Sequence, residues 1–137
     1  YGLGRMDEAI EHYSRAIELK PDDPVPHNNL GNIFAIQGQP EKAIEHYEIS
    51  LNLKPNDPET LSNMANALSA LKRFSEATEK YHQALKIKPD DAGIYCNLGI
   101  CLKQQGRIDE AIEAFNKALA IEPQNKRASE ALGSMQQ

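Results

Sequence analysis

Prolines 21, 55, 89 and 123 fall thirty-four residues apart along a chain of 137 residues, without drift. The surrounding text nearly repeats: Ala9, Ala43, Ala77 and Ala111, then Tyr13, Tyr47, Tyr81 and Phe115, then Ala16, Ser50, Ala84 and Ala118, then the proline. A fixed period of this size marks a stack of like supersecondary units, each burying its apolar face against its neighbours. The single compact domain that length alone suggests is thereby set aside. Such a stack presents an extended surface, and the period gives no reason to expect a catalytic centre.

Composition narrows the partners. With 40% apolar and 26% charged residues and a net charge of −5, the chain reads as soluble and mildly acidic. A nucleic-acid partner would want a basic stripe, and none is present. No apolar run approaches a membrane span, and no basic amphipathic helix suits a membrane surface. Cys96 and Cys101 lie five apart on one expected helix, on different sides, which disfavours a disulfide between them and points to a reducing, cytoplasmic setting. The text opens at Tyr1 in what the repeats align as mid-unit, so a fragment of a longer array is expected.

Each unit reads as two helices. Pro24 to Gln37 places Leu30, Ile33, Phe34 and Gln37 at helical spacing, and Gly38 follows as a helix-ending residue. Pro40 then supplies a first-turn proline, Glu41 suits the positive helix end, and Ala43, Ile44, Tyr47, Ser50 and Leu51 make the apolar stripe. Asp23-Pro24 and Asp57-Pro58 each read as an N-cap acceptor followed by a first-turn proline. The loops are short enough to force antiparallel neighbours. Helices are expected near 7–19, 24–37, 41–53, 58–71, 75–87, 92–105, 109–121 and 126–136.

Small residues recur at two places: Gly31, Ala65, Gly99 and Gly133 in first helices, and Ala9, Ala43, Ala77 and Ala111 in second helices. They let paired helices approach, with the aromatic residue four positions after each alanine filling the space between units. Lys72 stands where Gly4, Gly38 and Gly106 stand elsewhere. A left-handed turn there would cost lysine about 1 kcal/mol; the alternative is that this hairpin ends in a different turn.

The run Asn97-Leu98-Gly99, Gly106, Asp109-Glu110-Ala111-Ile112, Phe115, Ala118 and Pro123, with its counterparts in earlier periods, resembles the tetratricopeptide repeat. The resemblance covers nearly the whole chain as one repeat domain: a partial repeat over 1–23, full repeats over 24–57, 58–91 and 92–125, and a terminal helix over 126–137. His27, Leu61 and Tyr95 hold the bulky position that is often tryptophan in the family. The resemblance implies an all-α fold, a right-handed α-solenoid of antiparallel helix-turn-helix units, whose first helices line a concave groove for peptides or protein segments.

On that reading the groove carries Asn28, Asn29, Asn32, Ser62, Asn63, Asn66, Cys96, Asn97, Ile100, Lys103 and Arg127, flanked by Val25, Ile36, Glu59, Ala70, Gly93, Gln104 and Glu130. Asn29, Asn63 and Asn97 fall one period apart and would form a ladder. An asparagine offers donors and an acceptor that complement a peptide backbone without demanding any side chain. The alternative is that these amides only satisfy neighbouring backbone or water. Related repeats grip acidic carboxy-terminal tails with lysines and arginines. The corresponding slots here hold Asn28, Ser62 and Cys96, which argues against such a clamp, Lys103 and Arg127 being the basic groove residues.

Catalytic and metal chemistry find little support. His12 and His46, one period apart, are expected as solvated outer-face residues, since no cysteine or aspartate cluster joins them. His27 is expected to pack and His82 to be exposed. The carboxylates of Glu41, Glu76, Asp109 and Glu110 sit in first turns, where the helix dipole accounts for them. Cys101 reads as a small core residue, and Cys96 as groove-facing without a histidine to ionise it. No phosphate loop or nucleophile elbow occurs, so no cofactor is expected and no enzyme activity. The leading reading is an interaction scaffold for a protein or peptide partner. The alternatives are the substrate-recruiting arm of a larger enzyme, such as an O-linked N-acetylglucosamine transferase, and end-to-end self-association into a structural superhelix.

Overall fold

A computed structural model describes residues 2–135 and contains, among them, eight helices. These are α1 (Leu3–Leu19), α2 (Pro24–Ile36), α3 (Pro40–Leu53), α4 (Pro58–Ala70), α5 (Phe74–Ile87), α6 (Ala92–Gln104), α7 (Ile108–Ile121) and α8 (Lys126–Met135). The tightest pairs are α2 with α3, α4 with α5 and α6 with α7, each an antiparallel hairpin. Hairpins stack through α1–α2, α3–α4, α5–α6 and α7–α8, and α2, α4, α6 and α8 also touch in succession, whereas among the described residues α1, α3, α5 and α7 do not touch one another. The even-numbered helices therefore lie closer together and form the inner face of an α-solenoid.

The hairpin turns have one geometry. Gly38 and Gly106 have φ of 75°, and Lys72 has φ of 61°. In each turn the amide three residues past the helix bonds back five positions: Gln39 to Phe34, Arg73 to Leu68 and Arg107 to Leu102, at 2.8–2.9 Å. These bonds satisfy helix-terminal carbonyls only if the intervening residue is left-handed. The turn at Lys72 is thus the same turn as its neighbours, with a side chain placed in a glycine conformation. Gly4, expected in that slot, instead lies within α1, which starts at Leu3. The turn is imposed by pairing with a preceding helix, and α1 packs only on α2 among the described residues.

Capping differs from unit to unit. Asp23 Oδ1 accepts from the Val25 amide at 3.0 Å, and Asp91 Oδ1 from the Ile94 amide at 3.1 Å. Asp57, expected to cap α4, instead accepts from the buried Thr60 hydroxyl at 2.8 Å and leaves the backbone amides alone. A carboxylate beside a buried hydroxyl is the better acceptor for it, because an unpaired hydroxyl in the core is costly.

The core repeats in phase. Ala43, Ala77 and Ala111 are fully buried, as are Tyr47, Tyr81 and Phe115, at 1%, 1% and 0% exposure. The aromatics serve the closure of their own hairpins as well as the gap between units. A Cβ built on Gly31 would meet Tyr47 Cε1 at 2.5 Å, and one on Gly99 would meet Phe115 Cε1 at 2.7 Å. Ser50 is buried too, and its hydroxyl donates to the Pro24 carbonyl at 2.9 Å.

Candidate functional site

The inner face is built on the even-numbered helices and carries two adjoining clefts. One, of about 620 Å³, lies between α2 and α4 and is lined by Asn32, Ala35, Ile36, Gly38, Pro40, Tyr47, Glu59, Asn63, Asn66, Ala67 and Ala70. The next, of about 450 Å³, lies between α4 and α6 and is lined by Asp57, Pro58, Glu59, Ser62, Asn63, Lys88, Asp91, Gly93, Ile94 and Asn97. A smaller hollow of about 280 Å³ sits outside the inner face, among His82, Tyr95, Glu110, Glu113 and Lys117.

The asparagines are hydrogen-bonded to one another and to the core. Tyr47 Oη donates to Asn32 Oδ1 at 2.6 Å, and Asn63 Nδ2 donates to the same oxygen at 3.2 Å. One unit on, Tyr81 Oη donates to Asn66 Oδ1, and Asn97 Nδ2 does so at 3.3 Å. Arg127 Nη2 closes the row by donating to Asn97 Oδ1 at 2.7 Å. The links thus run obliquely, thirty-one residues apart, and not straight up the expected ladder of Asn29, Asn63 and Asn97. A helix-to-helix bridge must span one step of the stack, and the amide one turn further along the previous helix is the one within reach. Burial raises the phenol pKa of Tyr47 and of Tyr81, so both remain donors.

Both lone-pair directions of Asn32 Oδ1 and Asn66 Oδ1 are thus engaged, while their Nδ2 donors have no hydrogen-bond partner among the described residues. The next unit drops both members of the pair at once: Ile100 stands in the Asn32 and Asn66 slot, and Phe115 in the tyrosine slot. Removing a donor with its acceptor avoids the penalty of orphaning either. That joint change was present in the sequence and identifies the bonded pairs.

The remaining candidate residues fall as follows. Ser62 is half-buried in the second cleft, and Asn29 is half-buried on α2. Asn28 is half-buried as well, with its Oδ1 out of solvent and without a hydrogen-bond partner among the described residues. Ile100 is half-buried and packs on the core. Lys103 is exposed, its Nζ 3.4 Å from Ser134 Oγ. Cys96 does not face the groove: it is fully buried at 0% exposure. A thiol has little hydrogen-bonding demand, so this slot closes into the core where Asn28 and Ser62 keep theirs partly open. Burial also raises the Cys96 thiol pKa, which keeps it protonated and inert. Cys101 is buried, its thiol bonded to the Phe74 carbonyl at 3.3 Å.

His46 is not a solvated outer residue. Its ring stacks on Phe34 at 5.4 Å and on His27 at 5.5 Å, and the two Nδ1 atoms are 3.3 Å apart. Burial lowers the pKa of both histidines, and for His46 the His27 ring lowers it further while Glu45 works the other way. His12, its counterpart, is exposed and lies edge-on to Tyr13. Glu76 and Glu110 do more than face a helix dipole: each pairs with an arginine three residues before it, Arg73 and Arg107, which lowers the carboxyl pKa. Among the described residues, no three histidine, cysteine, aspartate or glutamate side chains gather as a metal set, and no helix is long and apolar enough to cross a membrane.

Models of the TPR repeat match residues 1–38, 31–72 and 65–106, and a tetratricopeptide repeat model matches 92–125. The chain belongs to the tetratricopeptide repeat family. Solved structures agree on the solenoid. MamA superposes with a TM-score of 0.92 at 26% identity, over 96% of this chain and 77% of that one. The Arabidopsis OM64 TPR domain gives 0.81 at 26% identity, over 82% and 93%. The first TPR of Spaghetti (RPAP3), bound to the HSP90 peptide SRMEEVD, gives 0.81 at 24% identity, over 83% and 90%. No curated protein sequence matches this one.

Proposed function

We propose that this tetratricopeptide repeat chain is a protein-interaction module that holds an extended segment of a partner along its inner face. The observation that carries the reading is the bonded asparagine row, which lines two adjoining clefts and leaves the Asn32 and Asn66 side-chain donors spare to meet peptide carbonyls. Backbone capture of this kind tolerates many sequences. A peptide held by one solved TPR neighbour supports the use of this architecture for such segments. The clamp for acidic tails is not part of the reading, because Asn28, Ser62 and Cys96 occupy its slots and Arg127 is committed to Asn97. The role is binding and not catalysis: both thiols are buried, and the first-turn Glu76 and Glu110 are paired with arginines.

The test is retention of a displayed random dodecapeptide library by the chain and by a variant carrying Asn32→Ile, Asn66→Ile, Tyr47→Phe and Tyr81→Phe. That variant copies Ile100 and Phe115 and removes the spare donors without orphaning a phenol. Retention by the parent, a drop of tenfold or more in the variant, and an unchanged circular dichroism spectrum are the expected results. A library that the parent fails to retain, or one retained equally by both, overturns the reading.

A further inference from the structure

The scaffold repeats, so what distinguishes one partner from another must lie where the inner face breaks its own period. Two rows do so. At the amino-terminal ends of α2, α4, α6 and α8 stand Val25, Glu59, Gly93 and Arg127, and at the carboxy-terminal ends of α2, α4 and α6 stand Ile36, Ala70 and Gln104. The α2/α4 cleft is closed at one end by Ile36, 61% exposed, with Ala70 and Pro40 beside it, an apolar surface that water covers in the free protein.

At the other end is Glu59, exposed and lining both clefts. Among the described residues Glu59 has no ion-pair partner: the lysine of the second cleft, Lys88, is engaged by Asp91 at 3.5 Å. One cleft therefore offers an apolar wall, a middle of amide donors and a free carboxylate.

Resting on the groove reading above, we propose that the inner face selects an extended segment bearing one large aliphatic or aromatic side chain and one lysine or arginine. The apolar side chain covers Ile36 and Ala70, and the cation meets Glu59. Glu59 and Ala70 are eleven positions apart on α4, about 16 Å along the helix. An extended chain covers that in about five residues, and the length of a lysine side chain shortens it to about four.

The probe is a set of fluorescein-labelled dodecapeptides on a Gly-Ser-Asn background, with leucine and lysine four apart, and matched peptides with lysine replaced by glutamate or leucine by serine. Fluorescence anisotropy in 50 mM salt reads the affinities of the parent chain, Glu59→Gln and Ile36→Ser. The leucine–lysine peptide should bind at least tenfold more tightly than either matched peptide. Glu59→Gln should abolish the discrimination against glutamate while keeping that against serine, and Ile36→Ser should do the reverse. Equal binding of all three peptides, or discrimination unmoved by either substitution, overturns the proposal. A random library retained by the chain but lacking the apolar–basic pair sinks this inference and leaves the groove reading standing, whereas a library not retained at all sinks that reading itself.

Discussion

The α2–α3 and α4–α5 hairpins have the same backbone and reach it with different side chains. Under the core aromatic, α2 places Gly31 and α4 places Ala65; at the turn stand Gly38 and Lys72; at the bulky first-helix slot stand His27 and Leu61. The comparison teaches that the period specifies shape and contact, while each unit settles its own strain. In α2–α3 the ring of Tyr47 sits where a Cβ would be, and a histidine pair replaces an aliphatic contact. In α4–α5 the ring has made room for a methyl group, and the strain has moved to the turn.

Exchanging residues between the hairpins tests that division. The largest effect lies in what they share: Tyr47→Ala and Tyr81→Ala should each cost about 3–5 kcal/mol in urea unfolding. A cost near zero for either would mean the aromatic is not what closes its hairpin. Gly31→Ala, which copies Ala65, should destabilise by about 1–2 kcal/mol even though alanine favours a helix, because the ring contact must give way. No loss would mean that Tyr47 shifts as freely as Tyr81 has.

Acid should separate the two hairpins next. Both histidine pKa values are lowered in the fold, so the unfolded chain takes up protons first as pH drops below 6.5. The associated stability is fully present above that pH and is lost as pH falls from 6.5 towards the lowered values. His27→Leu, which copies Leu61, should reduce the difference between urea midpoints at pH 7.5 and 5.5, leaving the part that the burial of His46 contributes. An undiminished difference would place the acid sensitivity elsewhere. Smallest of all, Lys72→Gly should raise stability by about 0.5–1 kcal/mol by relieving the left-handed lysine. A loss would show that the lysine side chain makes a contact worth more than its strain.

What was legible in the sequence follows the same division. The period, the helix bounds from α2 onward to within a few residues, the turn slots at 38, 72 and 106 and the buried Tyr47, Tyr81 and Phe115 were readable, because each depends on spacing along the chain. The start of α1 and the Gly4 slot were misread. Asp57 and His46 were misplaced because each is decided by a particular neighbour, Thr60 in one case and His27 across the hairpin in the other. Nothing in either residue alone reveals its partner. The asparagines lay between these extremes: their place on the inner face was readable, while their oblique bonding depends on the step between units, which spacing does not give. Ile100 opposite Phe115 carried that information as a joint exception to Asn32–Tyr47 and Asn66–Tyr81.

The tyrosine–asparagine bonds have an optical consequence. The chain has five tyrosines and no tryptophan, so its ultraviolet emission is phenolic. Two of those phenols, Tyr47 and Tyr81, are buried and donate hydrogen bonds to the Asn32 and Asn66 amide oxygens at the centre of the proposed groove. A segment that draws either amide towards itself changes the bonding of a fluorophore inside the core. On the proposed binding mode the protein carries an unlabelled gauge of its own occupancy, read as a change on top of the emission of its other three tyrosines.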